Sequence, residues 1–348
     1  MQILKKGIFK NMRVLKLKPF KVLLVFLVAF ISSLSLVQAR DLQGAGASFP
    51  ADVYYAWVAN YRKVMHKNVN YQSIGSGGGI RQVKARVIDF GASDEALKSE
   101  DLKKANLYQF PTVIGAIAVV YNIEGIKDGE LKLSNEVISD IFLKKITKWD
   151  DPRIKALNPS LKLPDAAIFV VHRSDGSGTT YNFSSYLASI SKEWKDVVGV
   201  GKSLPWPTGV GAKGNEGVSQ ILKQTKNTIG YTELSYKVSL NLNAAKLQDG
   251  VQKNYVYPNP KSIELAASNA TFSASNDFKT SLISIKKEGA YPITSSTFIL
   301  LPKHSNRSPK VKEFFRFSFE QSANIASDMG FLVIPKKVQD EVMEYLKF

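Results

Sequence analysis

The chain has 348 residues, with 47 Lys+Arg against 30 Asp+Glu, three His and no Cys. The lack of Cys excludes a disulfide framework, thiolate metal sites, a cysteine nucleophile and an anchor through a lipidated Cys. The length predicts about two domains, the 44% hydrophobic content predicts a globular chain, and the formal charge of +17 raises nucleic acid as a partner.

The first 39 residues carry seven cations, Lys5 to Lys21, and no acid. They run into the apolar stretch Val22–Ile31 and close on Val37-Gln38-Ala39. A cationic start, a short apolar run and small residues at −3 and −1 predict a cleavable signal peptide, cut after Ala39. The apolar run has ten residues, half of the ~20 that span a bilayer. Met12 is an alternative start. Losing the segment takes the formal charge from +17 to +10. The mature chain is expected to be soluble and, in a host with an outer membrane, periplasmic.

Behind this segment, Val53, Trp57 and Tyr61 at helical spacing predict a helix over 51–65. Val69–Tyr71 reads as a strand leading into Gly75-Ser76-Gly77-Gly78-Gly79. Ile80, Val83, Val87 and Ile88 predict a helix over 80–88, and Phe90–Ser93 a second strand. The run Phe110–Tyr121 is apolar without strict alternation, which predicts strands buried on both faces. Ser134 as N-cap, with Glu136 in the first turn, predicts a helix over 134–145. Ala167–His172 reads as a strand and 179–190 as the helix after it. Thr228–Tyr231 and Thr297–Leu301 read as strands, 308–320 and 336–347 as helices. Strands alternating with helices predict α/β architecture with parallel sheets.

Three loops share one chemistry: small residues and hydroxyls between an apolar strand and a helix. They are Gly44–Pro50, Gly75–Gly79 and Arg173–Thr180. Helix starts offer unpaired N–H donors and partial positive charge, and Gly admits a ligand close to the backbone. A phosphate or sulfate suits such a place. Any one of these loops is equally an ordinary turn with an N-cap. None is a nucleotide-binding P-loop, because the Lys is missing, and no dinucleotide fingerprint occurs.

Arg173 is the one cation in these loops, and a guanidinium binds a tetrahedral oxyanion with two parallel hydrogen bonds. It can equally pair with Asp175. Asp94 follows the strand Phe90–Ser93 and reads as a helix N-cap from local sequence. Facing an anion, its carboxylate would instead need a proton between the two. A protonated phosphate has that proton and sulfate does not, so Asp94 would be a discriminator.

These motifs resemble the high-affinity phosphate-binding proteins of bacterial phosphate ABC transporters, which have the two-lobed type II periplasmic-binding-protein fold. The likeness is collinear through Gly44–Pro50, Tyr71–Gly79, Val87–Asp94, Phe110–Gly115, Ile146–Pro152, Asp175–Thr179, Lys213–Gly217, Ile229–Tyr231 and Tyr291–Phe298. It implies lobes at 40–115 plus 290–348 and at 116–289, with mid-chain crossovers as the hinge. It implies phosphate ligation by Ser48, Phe49, Ser76, Asp94, Arg173, Ser177, Gly178 and Thr179, with Asp175 steadying Arg173. It implies no enzymatic activity, no cofactor and no metal. The implied partners are inorganic phosphate and the importer's membrane permease subunits, with no nucleic acid, and the implied state is a monomer. Ser48 stands where many relatives have Thr, Gly77 replaces a Ser, and His172 stands where relatives often carry Arg.

Three other readings follow from the residues. A sulfate or molybdate binder would want donors only, which Asp94 opposes. A secreted phosphatase built on Ser177 lacks a nucleophile elbow and a positioned base. A nucleic-acid binder or adhesin lacks a long basic run after residue 40.

Overall fold

The apolar segments build one mixed sheet in the computed structural model, which describes residues 41–268 and 270–347. The expected signal peptide lies outside these residues. Among the described residues the strands are β1 (Leu42–Gly46), β2 (Val69–Ser73), β3 (Phe90–Ser93), β4 (Leu107–Asn122), β5 (Lys132–Leu133), β6 (Phe169–Arg173), β7 (Val210–Ala212), β8 (Thr228–Glu233), β9 (Asn243–Ala244), β10 (Lys246–Gln248), β11 (Tyr255–Val256), β12 (Thr294–Pro302) and β13 (Leu332–Val333). The large sheet runs β2-β1-β3-β12-β4-β8-β6-β7, with β9 and β13 also on β4, and β11-β10-β5 form a small second sheet.

The apolar run from Phe110 is the middle of β4, a single strand of 16 residues. Its first part pairs with β12 as far as Ala116↔Thr294, and its second part pairs with β8 from Ile117↔Glu233 onward. One strand therefore belongs to both halves of the sheet. The parallel expectation holds on the flanks, where β1 pairs β2 and β3, and β6 pairs β7 and β8. At the centre it fails: β12 is antiparallel to β3 and β4, and β4 to β8. A continuous apolar run reports burial on both faces, not the direction of the neighbours.

The β4–β12 register slips between Ser296 and Phe298, and Phe298 lies opposite Pro111. Proline has no N–H for the ladder, and the extra residue falls on β4, opposite Thr297. Bulges re-aim side chains, and Thr297 points at Asp94 here.

The helix Ala51–Met65 forms as expected and buries Val53, Tyr54, Trp57 and Tyr61. Tyr54, Trp57 and Tyr61 meet Phe315, Phe319 and Phe314 edge-on, all three on the helix Ser308–Gln321. Each such ring contributes about 2–3 kcal/mol by burial. Ser134 does cap a helix, accepting from the Val137 N–H at 3.2 Å, but that helix ends at Phe142.

The helix expected from residue 80 starts at Ser76 and ends at Lys84. Glycines weaken a helix by about 1 kcal/mol each, which argued against placing Gly77–Gly79 inside it. Packing overrides that cost: a Cβ on Gly79 would stand 2.6 Å from the Gly46 Cα. Among the described residues no helix is long and apolar enough to cross a membrane.

Candidate functional site

The three loops meet, and a fourth helix start joins them. The first loop leaves β1 and ends at Ser48-Phe49-Pro50, where the Ala51–Met65 helix begins. Ser48 Oγ accepts two hydrogen bonds from Asn215, from its backbone N–H and from Nδ2, each at 3.0 Å. Tyr236 donates to the Ser48 carbonyl at 2.8 Å. The Phe49 ring is fully buried against the edge of Phe331, so its side chain anchors the loop.

Ser76 opens the second helix. Its Oγ accepts from the Asp94 N–H at 3.2 Å and the Gly178 N–H at 3.1 Å, and lies 3.5 Å from Asp94 Oδ2. The third helix, Gly178–Ile190, is capped by Ser177, whose Oγ accepts from the Thr180 N–H at 3.0 Å. A Cβ on Gly178 would stand 2.5 Å from Ser76 Oγ and 2.7 Å from the Asp94 side chain. Only glycine lets these two helix starts approach so closely. Gly77 also donates to the Gly176 carbonyl at 2.8 Å.

Arg173 ends β6 with its side chain buried. Its Nε and Nη2 hold the two oxygens of Asp175 at 2.7 and 2.6 Å. Its Nη1 donates to Thr179 Oγ1 at 3.3 Å. Burial alone would raise the Asp175 carboxyl, but the guanidinium and the Gly214 N–H at 3.0 Å hold it below the usual range. The salt-bridge and anion-facing readings of Arg173 are thus compatible, since Asp175 grips the outer edge of the fork.

Asp94 is not an N-cap. The next helix, Ser99–Ala105, starts five residues beyond it with Lys98 at the cap position. Asp94 is 3% exposed. Thr297 Oγ1 donates to its Oδ1 at 2.7 Å, and Asn182 Nδ2 holds its carbonyl at 2.8 Å. Burial pushes its carboxyl up to about 7, although the Thr297 hydrogen bond, the Arg173 charge and the Ser76 hydrogen bond pull the other way. The group therefore changes protonation near neutral pH. A cavity of about 220 Å³ borders Asp94 and Asn182.

The ring of His172 stacks on Trp206 with centroids 4.8 Å apart, and its Nδ1 lies 3.0 Å from the Arg173 carbonyl. Burial lowers its pKa, which disfavours a second charge beside Arg173.

Every residue singled out in the sequence lies in this network or directly beside it. Three further contributors do not follow from the sequence reading: Asn215, Thr297 and Asn182. Asn215 is fully buried near the start of the helix Gly214–Gln224, and its Nδ2 also donates to Thr179 Oγ1 at 3.2 Å. The signal for it was present, since Lys213-Gly214-Asn215 is a fourth glycine-bearing helix start. Thr297 and Asn182 carry no comparable local mark.

The arrangement brings hydroxyls, backbone N–H groups and a guanidinium held by Asp175 together near the Asp94 carboxyl group. Among the described residues no group of His, Cys, Asp and Glu is placed to hold a metal ion.

The family model of the PBP superfamily domain matches residues 35–322. The phosphate-binding protein PstS of Xylella fastidiosa strain Temecula1 is 45% identical over 307 residues, 87% of this chain and 84% of that protein. PstS of Haemophilus influenzae is 43% identical over 325 residues, 92% of this chain and 97% of that protein. The solved structure of a high affinity periplasmic phosphate-binding protein, PfluDING, bound with phosphate, matches with a TM-score of 0.70 at 19% identity, over 88% of this chain and 93% of that one. At that identity the likeness speaks for the fold, the two-lobed α/β fold of periplasmic binding proteins. The chain belongs to the PBP superfamily and, within it, to the family of the phosphate-binding protein PstS.

Proposed function

We propose that this protein binds inorganic phosphate in the periplasm and delivers it to the membrane subunits of an ABC importer, without itself catalysing a reaction. The observation that carries this reading is Asp94, a buried carboxyl set among donors. A ligand with one proton and several bare oxygens fits both features, and protonated phosphate is such a ligand. Fully ionised sulfate would set a lone pair against the carboxylate.

In this reading the lobes are 40–115 plus 290–348 and 116–289. Ser48, Phe49, Ser76 and Asp94 act from the first lobe, and Arg173, Ser177, Gly178 and Thr179 from the second. Phe49 and Thr179 offer N–H groups at helix starts, which favour an anion, and Gly178, whose N–H holds Ser76 Oγ, lets the helix start approach it. Ser48, Ser76, Ser177 and Thr179 lend hydroxyls as well. Arg173, held by Asp175, is the one full positive charge on the ligand. The bonds Gly178 N–H to Ser76, Gly77 N–H to Gly176 and Asn215 to Ser48 all join one lobe to the other. They support a closed arrangement, reached by hinge motion where β4 and the segment leading into β12 pass between the lobes. Closure removes water from the anion and strengthens each contact. Residues 1–39 would direct export, and the mature chain would act as a monomer.

Calorimetry on the purified protein tests this. The expected result is saturable one-to-one phosphate binding at pH 8 with no competition from excess sulfate. Equal competition by sulfate would overturn the role of Asp94, and no phosphate binding would overturn the reading itself.

A further inference from the structure

Asn215 joins two of the hydroxyls assigned to the anion, and its contacts fix which way both point. A hydroxyl has one hydrogen to give and two lone pairs to receive. Ser48 Oγ receives two N–H groups, both from Asn215, at 3.0 Å each. Thr179 Oγ1 likewise receives Arg173 Nη1 at 3.3 Å and Asn215 Nδ2 at 3.2 Å. With their lone pairs occupied, each hydroxyl has only its hydrogen left to offer.

The orientation of the Asn215 amide is itself determined. Its Oδ1 accepts from the Glu233 N–H at 3.4 Å and the Thr232 hydroxyl at 3.5 Å. A backbone N–H cannot accept, so Oδ1 must face β8 and Nδ2 must face the hydroxyls. Both Nδ2 hydrogens are used, one on Ser48 and one on Thr179. The side chain is fully buried, so water does not compete for these bonds.

We propose that Asn215 is a positioning residue that makes Ser48 and Thr179 obligate donors, so that neither competes with Asp94 for the ligand's proton. The inference rests on the phosphate-binding reading above and deepens it. It says why hydroxyls, which can act either way, do not accept a proton from the anion and bind it in a second orientation.

A thermodynamic cycle tests it. Phosphate affinity is measured by calorimetry for the wild type, Asn215→Ala, the pair Ser48→Ala/Thr179→Val, and all three together. Ligand-free melting curves confirm that each variant is folded. Asn215→Ala is expected to weaken phosphate about tenfold in the wild-type background. In the background lacking both hydroxyls it is expected to weaken phosphate less than about twofold, because nothing remains for Asn215 to orient. Equal losses in the two backgrounds would show a purely structural role and overturn the inference. So would no loss in the wild-type background. If Asn215→Ala does not fold, the uncharged, similarly sized Asn215→Leu takes its place in the same cycle with the same criterion, since it removes both Nδ2 donors without adding a charge. Absence of phosphate binding by the wild type would be failure of the functional reading, a result distinct from an additive cycle.

Discussion

Asp94, just past the end of β3, and Glu233, the last residue of β8, are both buried carboxyl groups, and burial raises both, yet their surroundings differ. Asp94 has a donor for each oxygen, Thr297 on Oδ1 and Ser76 near Oδ2, and the charge of Arg173 nearby. Glu233 receives the Ser235 N–H at 2.7 Å and the Ser235 hydroxyl on Oε2, while its Oε1 has no hydrogen-bond partner among the described residues. Burial puts Glu233 well above the normal carboxylate range, and the nearby Asp52 adds to the rise. A buried acid with an unsatisfied oxygen is most stable neutral. The difference teaches that depth alone makes a protonated acid. Donors and a cation are what bring one back to the middle of the pH range, where it can share a proton with a ligand.

Removing the cation should break this contrast most strongly. Arg173→Ala deletes a buried charge that Asp175 grips on one side. Losing one member of a buried charge pair costs roughly 2–5 kcal/mol, so phosphate affinity is expected to fall by about two to three orders of magnitude. Asp94 should also move further up, toward the behaviour of Glu233. Titration calorimetry in two buffers of different ionisation enthalpy reads both effects. An unchanged affinity would remove Arg173 from the ligand.

Asp94→Asn keeps the shape and replaces an acceptor by a donor. The preference for phosphate over sulfate is expected to fall by about 10² or more, because the discriminating contact is gone. Glu233→Gln should leave that preference untouched. Competition calorimetry on both variants distinguishes a ligand-facing acid from a structural one, and equal effects would erase the distinction.

Much of the site was legible in the sequence because its signals are local. Ser48, Ser76 and Ser177–Thr179 each sit where glycine, a hydroxyl and a helix start coincide within a few residues, and Arg173 lies beside its partner Asp175. The parts that escaped depend on distant pairings. Thr297 reaches Asp94 across 203 residues and Asn215 reaches Ser48 across 167. The glycines of Gly77–Gly79 pointed away from a helix because propensity ignores the Gly176 and Gly46 backbones that Gly77 and Gly79 must clear. The double life of β4 was hidden for a related reason: apolar periodicity records that Ala116 and Ile117 are buried, not that their strand changes partners between them.

A carboxyl near pH 7 also predicts how selectivity itself titrates. Above about 7 Asp94 is ionised and repels sulfate, and below it the neutral acid becomes a donor. Sulfate competition is therefore expected to grow about tenfold between pH 8 and pH 6, following the protonated fraction of one group. Phosphate should change less, because protein and ligand together always hold the shared proton. Asp94→Asn should abolish the pH dependence of sulfate binding. A flat profile in the wild type would mean that Asp94 does not face the anion.

The smallest effect concerns Glu233 and stability. Burial raises its folded pKa well above the ordinary glutamate value of 4.5, so the folded chain holds a proton that the unfolded chain releases. Its contribution is fully favourable below about 4.5 and is lost as pH rises from there toward the folded value. Gln keeps an oxygen for the Ser235 N–H and carries no charge at any pH. Glu233→Gln is therefore expected to raise stability by about 1 kcal/mol at pH 8 and by nothing measurable at pH 4. Denaturant unfolding at the two pH values measures it, and phosphate affinity should stay within about twofold. A loss of stability at pH 8 would show that Glu233 is held ionised. The contrast with Asp94 would then lie in the partners of the two carboxylates rather than in their protonation.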